Sequence, residues 1–223
     1  MNIRLVTAMV GLCASALAQD LKSVLARMDG GAAGFRSVSA SIRRASFTAL
    51  INDRLEETGT CKFYKHKGDV RVLVDLTNPD QRSIAFAGRK VQLYTAKSNI
   101  VQEIDLGKQK GQIDRYLLLG FGTPGREIAK EYTTRYSGEE AIAGQKASRL
   151  ELTPKSEEVR KQFSKIELWI ADPGGYPVQQ KLHEPSGNYL TVTYTGIKLN
   201  SDLSPDQLAL KLPKDVKREY PQK

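Results

Sequence analysis

Asp69-Val70-Arg71-Val72-Leu73-Val74-Asp75-Leu76 reads with a period of two: Val70, Val72, Val74 and Leu76 alternate with Asp69, Arg71, Leu73 and Asp75. That pattern is a β-strand with one apolar face. Working outward, the same period recurs along most of the chain. Val38, Ala40 and Ile42 alternate with Ser39, Ser41 and Arg43, and Ile84-Ala85-Phe86 leads through Gly88-Arg89 to Val91 and Leu93. Ser98-Asn99 turns the chain into 100–106. Segments 132–140 and 146–153 flank Ala143-Gly144. Ile166, Leu168 and Ile170 alternate with Lys165, Glu167 and Trp169, and Asp172-Pro173-Gly174-Gly175 turns into 178–184. Pro185-Ser186-Gly187-Asn188 turns into Leu190, Val192 and Tyr194, and Leu208, Leu210 and Leu212 read as a last strand. The spacing predicts about ten or eleven strands in a mainly antiparallel meander with short connections.

Helices are few. Leu21, Val24, Leu25 and Met28 make one apolar stripe behind Asp20, which can cap it, and Gly30-Gly31 is placed to stop it. Residues 113–122 are apolar and helix-like, and 124–132 are amphipathic, with Thr123 as the expected N-cap and Pro124 in the first turn. Residues 155–165 offer one more helical turn. A large sheet with so little helix must curl. An apolar cavity under a helical lid is the expected outcome, with a closed barrel as the alternative. The lid is Leu117-Leu118-Leu119-Gly120-Phe121, part of it covering the first helix and the sheet and the rest facing the cavity. Leu117, Leu118, Phe121, Val72, Val74 and Trp169 are the candidate cavity-lining residues, and Gly120 and Gly122 the candidate hinge.

The composition excludes several classes. Apolar residues are 40% and charged residues 26% of 223, a globular balance. Residues 1–18 read as a secretory signal: Arg4, a short apolar core, and Ala16-Leu17-Ala18 as cleavage site, with the domain occupying 19–223. Cleavage removes Cys13 and leaves Cys61 alone, so no internal disulfide is expected, and Cys61 reads as a small buried apolar residue. Two Cys and two His are too few for a protein-built metal centre, and no cofactor is expected. The net charge of +9 is spread over Arg43-Arg44, 62–67, Arg89-Lys90, 108–110 and 214–218 rather than gathered with aromatics, which argues against nucleic acid.

Catalytic patterns are weak. Gly120, Gly122 and Gly125 match a dinucleotide fingerprint, but no crossover helix follows and Pro124 removes a backbone donor. His66 and His183 read as surface residues, and Glu139-Glu140 and Glu157-Glu158 as solvated turns. No nucleophile elbow is present, so a secreted hydrolase is disfavoured.

Several stretches carry a resemblance: Leu25-Ala26-Arg27-Met28-Asp29; Gly68-Asp69-Val70-Arg71 with Asn78-Pro79-Asp80; Lys165-Ile166-Glu167-Leu168-Trp169-Ile170 with Gly175-Tyr176-Pro177-Val178; and Leu212-Pro213-Lys214-Asp215-Val216. With the signal, the meander and the lid insert, the chain resembles the LolA-like outer-membrane lipoprotein carriers. The resemblance implies a strongly curved, incomplete antiparallel barrel closed by helices. It also implies a monomeric, non-enzymatic periplasmic protein whose cavity takes the acyl chains of a lipoprotein or another lipid. An inner-membrane donor and an outer-membrane acceptor are the implied partners. An envelope sensor of the same fold is the alternative. Better-known carriers place an Arg-Pro after the second strand, where the Arg helps latch the lid; here the stretch reads Tyr64-Lys65-His66-Lys67-Gly68.

Overall fold

The protein is described by a computed structural model covering residues 20–107, 110, 111 and 118–221. The signal segment lies outside these residues, as does Leu117. Helix α1 occupies residues 20–32. Six strands follow: β1 (Ser37–Thr48), β2 (Asp53–His66), β3 (Asp69–Asn78), β4 (Arg82–Ala87), β5 (Lys90–Thr95) and β6 (Ile100–Asp105). After α2 (Gly125–Glu131) come β7 (Tyr132–Ile142) and β8 (Gln145–Pro154). The short α3 (Glu157–Arg160) precedes β9 (Lys165–Ala171), β10 (Pro177–His183), β11 (Tyr189–Leu199) and β12 (Lys217–Glu219). Among the described residues no helix is long and apolar enough to cross a membrane.

All twelve strands form one sheet in the order β12-β6-β5-β4-β3-β2-β1-β11-β10-β9-β8-β7. Two meanders are therefore joined edge to edge through β1 and β11, paired from Val38↔Leu199 to Phe47↔Tyr189. The sheet curls without closing, because β7 and β12 remain its two ends.

Four expectations change. First, α1 continues through Gly30 and Gly31 to residue 32; a Cβ at Gly31 would lie 3.2 Å from the Gly174 and Gly175 carbonyl oxygens, so glycine here serves a close approach to the 174–175 turn rather than a helix stop. Second, Leu208–Leu212 is not a strand. Pro205–Leu208 is a 3-10 turn, and Leu208 seats on Leu73 and Ala85 on the outer face of the sheet. The last strand is instead the exposed Lys217–Glu219, parallel to β6. Third, the N-cap of α2 is Pro124, while the Thr123 hydroxyl donates to the Leu118 carbonyl at 2.8 Å. Fourth, Glu139 and Glu140 lie within β7, and Glu140 accepts bonds from Trp169 and Arg149 rather than standing in a solvated turn.

The core is split by the sheet's two faces. On the concave face, one cluster gathers Val38, Ile42, Cys61, Phe63, Val70, Val72, Leu76 and Tyr194. Beside it, Leu150, Leu152, Ile166, Leu168 and Ile170 receive the Val24 and Met28 side of α1 together with Ile128 of α2. The two helices meet closely: a Cβ at Gly125 would lie 2.1 Å from the Leu25 carbonyl oxygen, so only glycine allows this approach.

Candidate functional site

The concave face is covered on one side by α1 and on the other by the turn 118–122, which belongs to no helix or strand. Its side chains divide between the two clusters. Leu119 packs with α1, and Leu118 and Phe121 pack on the β1–β3 side. Phe121 is 1% exposed. Its ring stacks on Phe63 with centroids 5.5 Å apart, meets Tyr194 edge-on at 5.1 Å, and lies 6.4 Å from Phe35. The space expected to be a cavity is thus occupied by the protein's own apolar turn.

Backbone carbonyls hold the turn down. Leu118 accepts from Thr123, Leu119 from the Gln180 side-chain amide, and Gly122 from the Lys65 ammonium at 3.4 Å. Gln180 is itself oriented by the Tyr194 hydroxyl, which donates to its Oε1 at 2.9 Å. Burial pushes the Tyr194 hydroxyl well above its ordinary pKa, so it stays a donor. Gly120 (φ +84°) and Gly122 (φ +63°) take left-handed conformations. A Cβ at Gly122 would meet the Phe35 ring at 2.3 Å. Beside the turn lies a cleft of about 270 Å³ lined by Lys65, Val70, Leu118, Gly122, Ile128 and Tyr132.

Of the candidate residues, the structure brings Leu118, Phe121 and Val72 together, with Val74 half-buried at the edge of the same cluster. It places Trp169 elsewhere. Trp169 projects from the other face of β9, packs with Ala147, Ala171 and Val178, and donates Nε1–H to Glu140 at 2.9 Å. The strand alternates strictly, so a residue between Leu168 and Ile170 cannot share their face.

That outer face carries an ion-pair network around Glu167, whose side chain is 3% exposed. His183 Nε2 lies 2.6 Å from its Oε1, Arg149 Nε donates at 2.8 Å, and Lys165 stands at 3.3 Å. His183 is therefore half-buried and bonded rather than a plain surface residue. Desolvation pushes the Glu167 carboxyl up, but bonds from His183 and Arg149 and the charge of Lys165 outweigh it and hold the pKa low. Cys61 is buried in the concave cluster, free, and its thiol is pushed up to about 12 by burial.

No protein-family model and no curated sequence matches the chain significantly. Solved structures match its fold. An uncharacterized conserved protein from Thermus thermophilus superposes with TM-score 0.53 at 14% identity, over 89% of this chain and 98% of that one. The Mycobacterium tuberculosis lipoprotein LppX gives 0.50 at 13%, over 82% and 98%. MucB gives 0.52 at 17%, over 86% of this chain but 63% of its own, so the chain spans under two thirds of MucB's length. At these identities the likeness is one of fold. The mainly β, curved and unclosed LolA-like sheet that the sequence resemblance implied is the fold present.

Proposed function

We propose that the chain is a non-enzymatic binder and carrier of acyl chains, exported by its N-terminal signal with cleavage after Ala18. Hydrocarbon of a lipoprotein or free lipid lies along the concave face in the place now held by Leu118 and Phe121. One observation carries this reading: among the described residues, the apolar β1–β3 side of the concave face is covered by a turn rather than by a helix or strand. A turn held by side-chain bonds to three carbonyls opens locally, without breaking any ladder of the sheet. Each methylene buried on that face contributes about 0.8 kcal/mol, so a long chain competes with two side chains. Gly120 and Gly122 supply the backbone freedom at the hinge. In this reading a membrane donor loads the carrier and an outer-membrane acceptor empties it, each by binding the open form better than the closed one.

The test is native mass spectrometry of protein purified from periplasm, followed by titration with a fluorescent long-chain fatty acid. Added mass matching an acylated species, displaceable by the probe, is expected. Protein that carries nothing and binds no acyl probe overturns the proposal. Acylated cargo found only in a lasting complex with a membrane protein would assign a sensor instead of a carrier.

A further inference from the structure

At the far end of the concave face from the α2 cleft, the inward register turns from apolar to charged. In β1 the inward series Val38, Ala40, Ile42 continues to Arg44, and in β2 Phe63, Cys61 and Gly59 continue to Glu57, which pairs directly with Arg44 across the ladder. In β4, Phe86 and Ile84 continue to Arg82, which pairs with Leu76 of β3. Three charged side chains thus converge on the apolar face. Glu57 is 3% exposed and receives both guanidiniums: Arg44 Nη1 donates to Oε2 at 3.0 Å, and Arg82 Nη2 donates to Oε1.

One carboxylate faces two permanent cations. The cluster keeps an excess positive charge, at side chains 23% (Arg44) and 40% (Arg82) exposed. Arg82 Nε is buried with no partner. A buried donor without an acceptor is costly, and an anion at the two partly exposed guanidiniums would supply an acceptor and balance the charge. Consistent with the crowding, burial and then the charge of Arg82 depress the Arg44 pKa. Alongside lies hydrocarbon that is only half covered: Val74, Phe86 and Val192 at the edge of the core, with Ile84 and Leu93 beside them. Other acids near this end are engaged elsewhere: Asp75 holds Ser83, and Glu56 faces Arg43, both pairs in the outward register.

We infer that Arg44 and Arg82 form an anionic headgroup site, so that the protein selects amphiphiles with an acid head and a hydrocarbon tail. The guanidinium forks match a carboxylate or a phosphate monoester equally, and the tail runs along Val74, Ile84 and Phe86 toward Phe121. This rests on the acyl-binding reading and names the ligand class for it.

The experiment is competition against a fluorescent fatty-acid probe, below micelle formation, with hexadecanoate, hexadecyl phosphate and hexadecanol. The wild-type protein should prefer at least one acid over the alcohol by about tenfold to a hundredfold, as one or two charge-assisted bonds allow. Which acid wins identifies the head as carboxylate or phosphate, and inorganic phosphate without a tail should compete weakly. Arg82→Gln leaves Glu57 paired with Arg44 and should erase most of the preference, weakening hexadecanoate or hexadecyl phosphate far more than hexadecanol. Arg44→Gln should act alike. Glu57→Gln removes the competing carboxylate and should enlarge the preference, which a purely structural ion cluster would not do. No acid preference in the wild type, or one that survives both arginine substitutions, overturns the headgroup site while leaving acyl binding intact. If none of the three hexadecyl compounds competes, the acyl-binding reading falls and this inference with it.

Discussion

Phe121→Ala separates a displaceable plug from an ordinary core residue. The ring is 1% exposed and touches Phe63, Tyr194 and Phe35, so truncation removes a fully packed aromatic side chain. Such changes cost about 3–5 kcal/mol in a domain core. For a chain of this size that is a fall in Tm of about 6–20 °C. On the acyl-binding reading the same contacts oppose cargo, because hydrocarbon fills the concave face in the place that Phe121 leaves. Removing them should therefore lower the opening cost and tighten acyl binding. Recovery of even about 3 kcal/mol is about a hundredfold in Kd. The measurement is paired: urea unfolding of the free protein, and fluorescence titration with a long-chain fatty-acid probe. A second readout is the Tm gain at saturating ligand, which should be larger for the variant than for the wild type. A destabilised variant whose affinity is unchanged or weaker would refute the reasoning, since Phe121 would then be core alone or a cargo contact rather than its competitor.

Other outcomes follow from single residues. Cys61, buried and with its thiol raised to about 12, should resist maleimide and disulfide reagents at about pH 8 until the protein is unfolded, and Cys61→Ser should retain probe binding at a cost of about 1–2 kcal/mol. Glu167 has a folded-state pKa below its ordinary 4.5, so its stabilisation is present above that value and is lost as pH falls through the folded pKa. Glu167→Gln should cost about 3 kcal/mol near neutrality and flatten the acid limb of a pH–stability curve measured by urea unfolding. Gln180→Leu removes the donor to the Leu119 carbonyl and strands the Tyr194 hydroxyl; it should destabilise by about 1–3 kcal/mol and speed probe exchange in stopped-flow measurements.

How much was legible depends on whether a residue's role lay in its own strand. The period-two run at 69–76 predicted β3 because one face of that strand is core and the other is mostly polar. The same period misled at Leu208, Leu210 and Leu212. There it marks a segment draped over Leu73 and Ala85, and apolar spacing alone does not distinguish a covering segment from a strand. Lys217–Glu219 carried no apolar signal at all, because an exposed edge strand needs none. The insert at Leu118 and Phe121 stood out as the apolar interruption of the meander, and the structure seats it on the sheet. What holds it was missed: Gln180 lies in the polar run Gln179-Gln180-Lys181, and nothing in that run marks it as the residue that faces inward. Arg44 and Glu57 were missed for the same reason. Yet both sit in the inward parity of their strands, two and four places from Ile42 and Cys61. A charge in the apolar parity of a strand was the available signal.

The inner turn and the outer Glu167 network are held by different polar chemistry, and this decides which of the two can exchange partners. Outside, Glu167 is bonded to His183, Arg149 and Lys165, so any opening there exposes a buried charge without its partners. Inside, the turn is fastened only through backbone carbonyls, each such bond contributing about 1 kcal/mol net. When the turn lifts, its carbonyls pass to water and cost little. Tyr194 keeps Gln180 as its acceptor, so a single amide N–H of Gln180 is left without its bond. The apolar loss at Phe121 and Leu118 is the larger part, and it is the part that hydrocarbon restores in kind. On the acyl-carrier reading, opening is therefore expensive in water and cheap beside an acyl chain, and that difference is what separates a gate from a fixed piece of core.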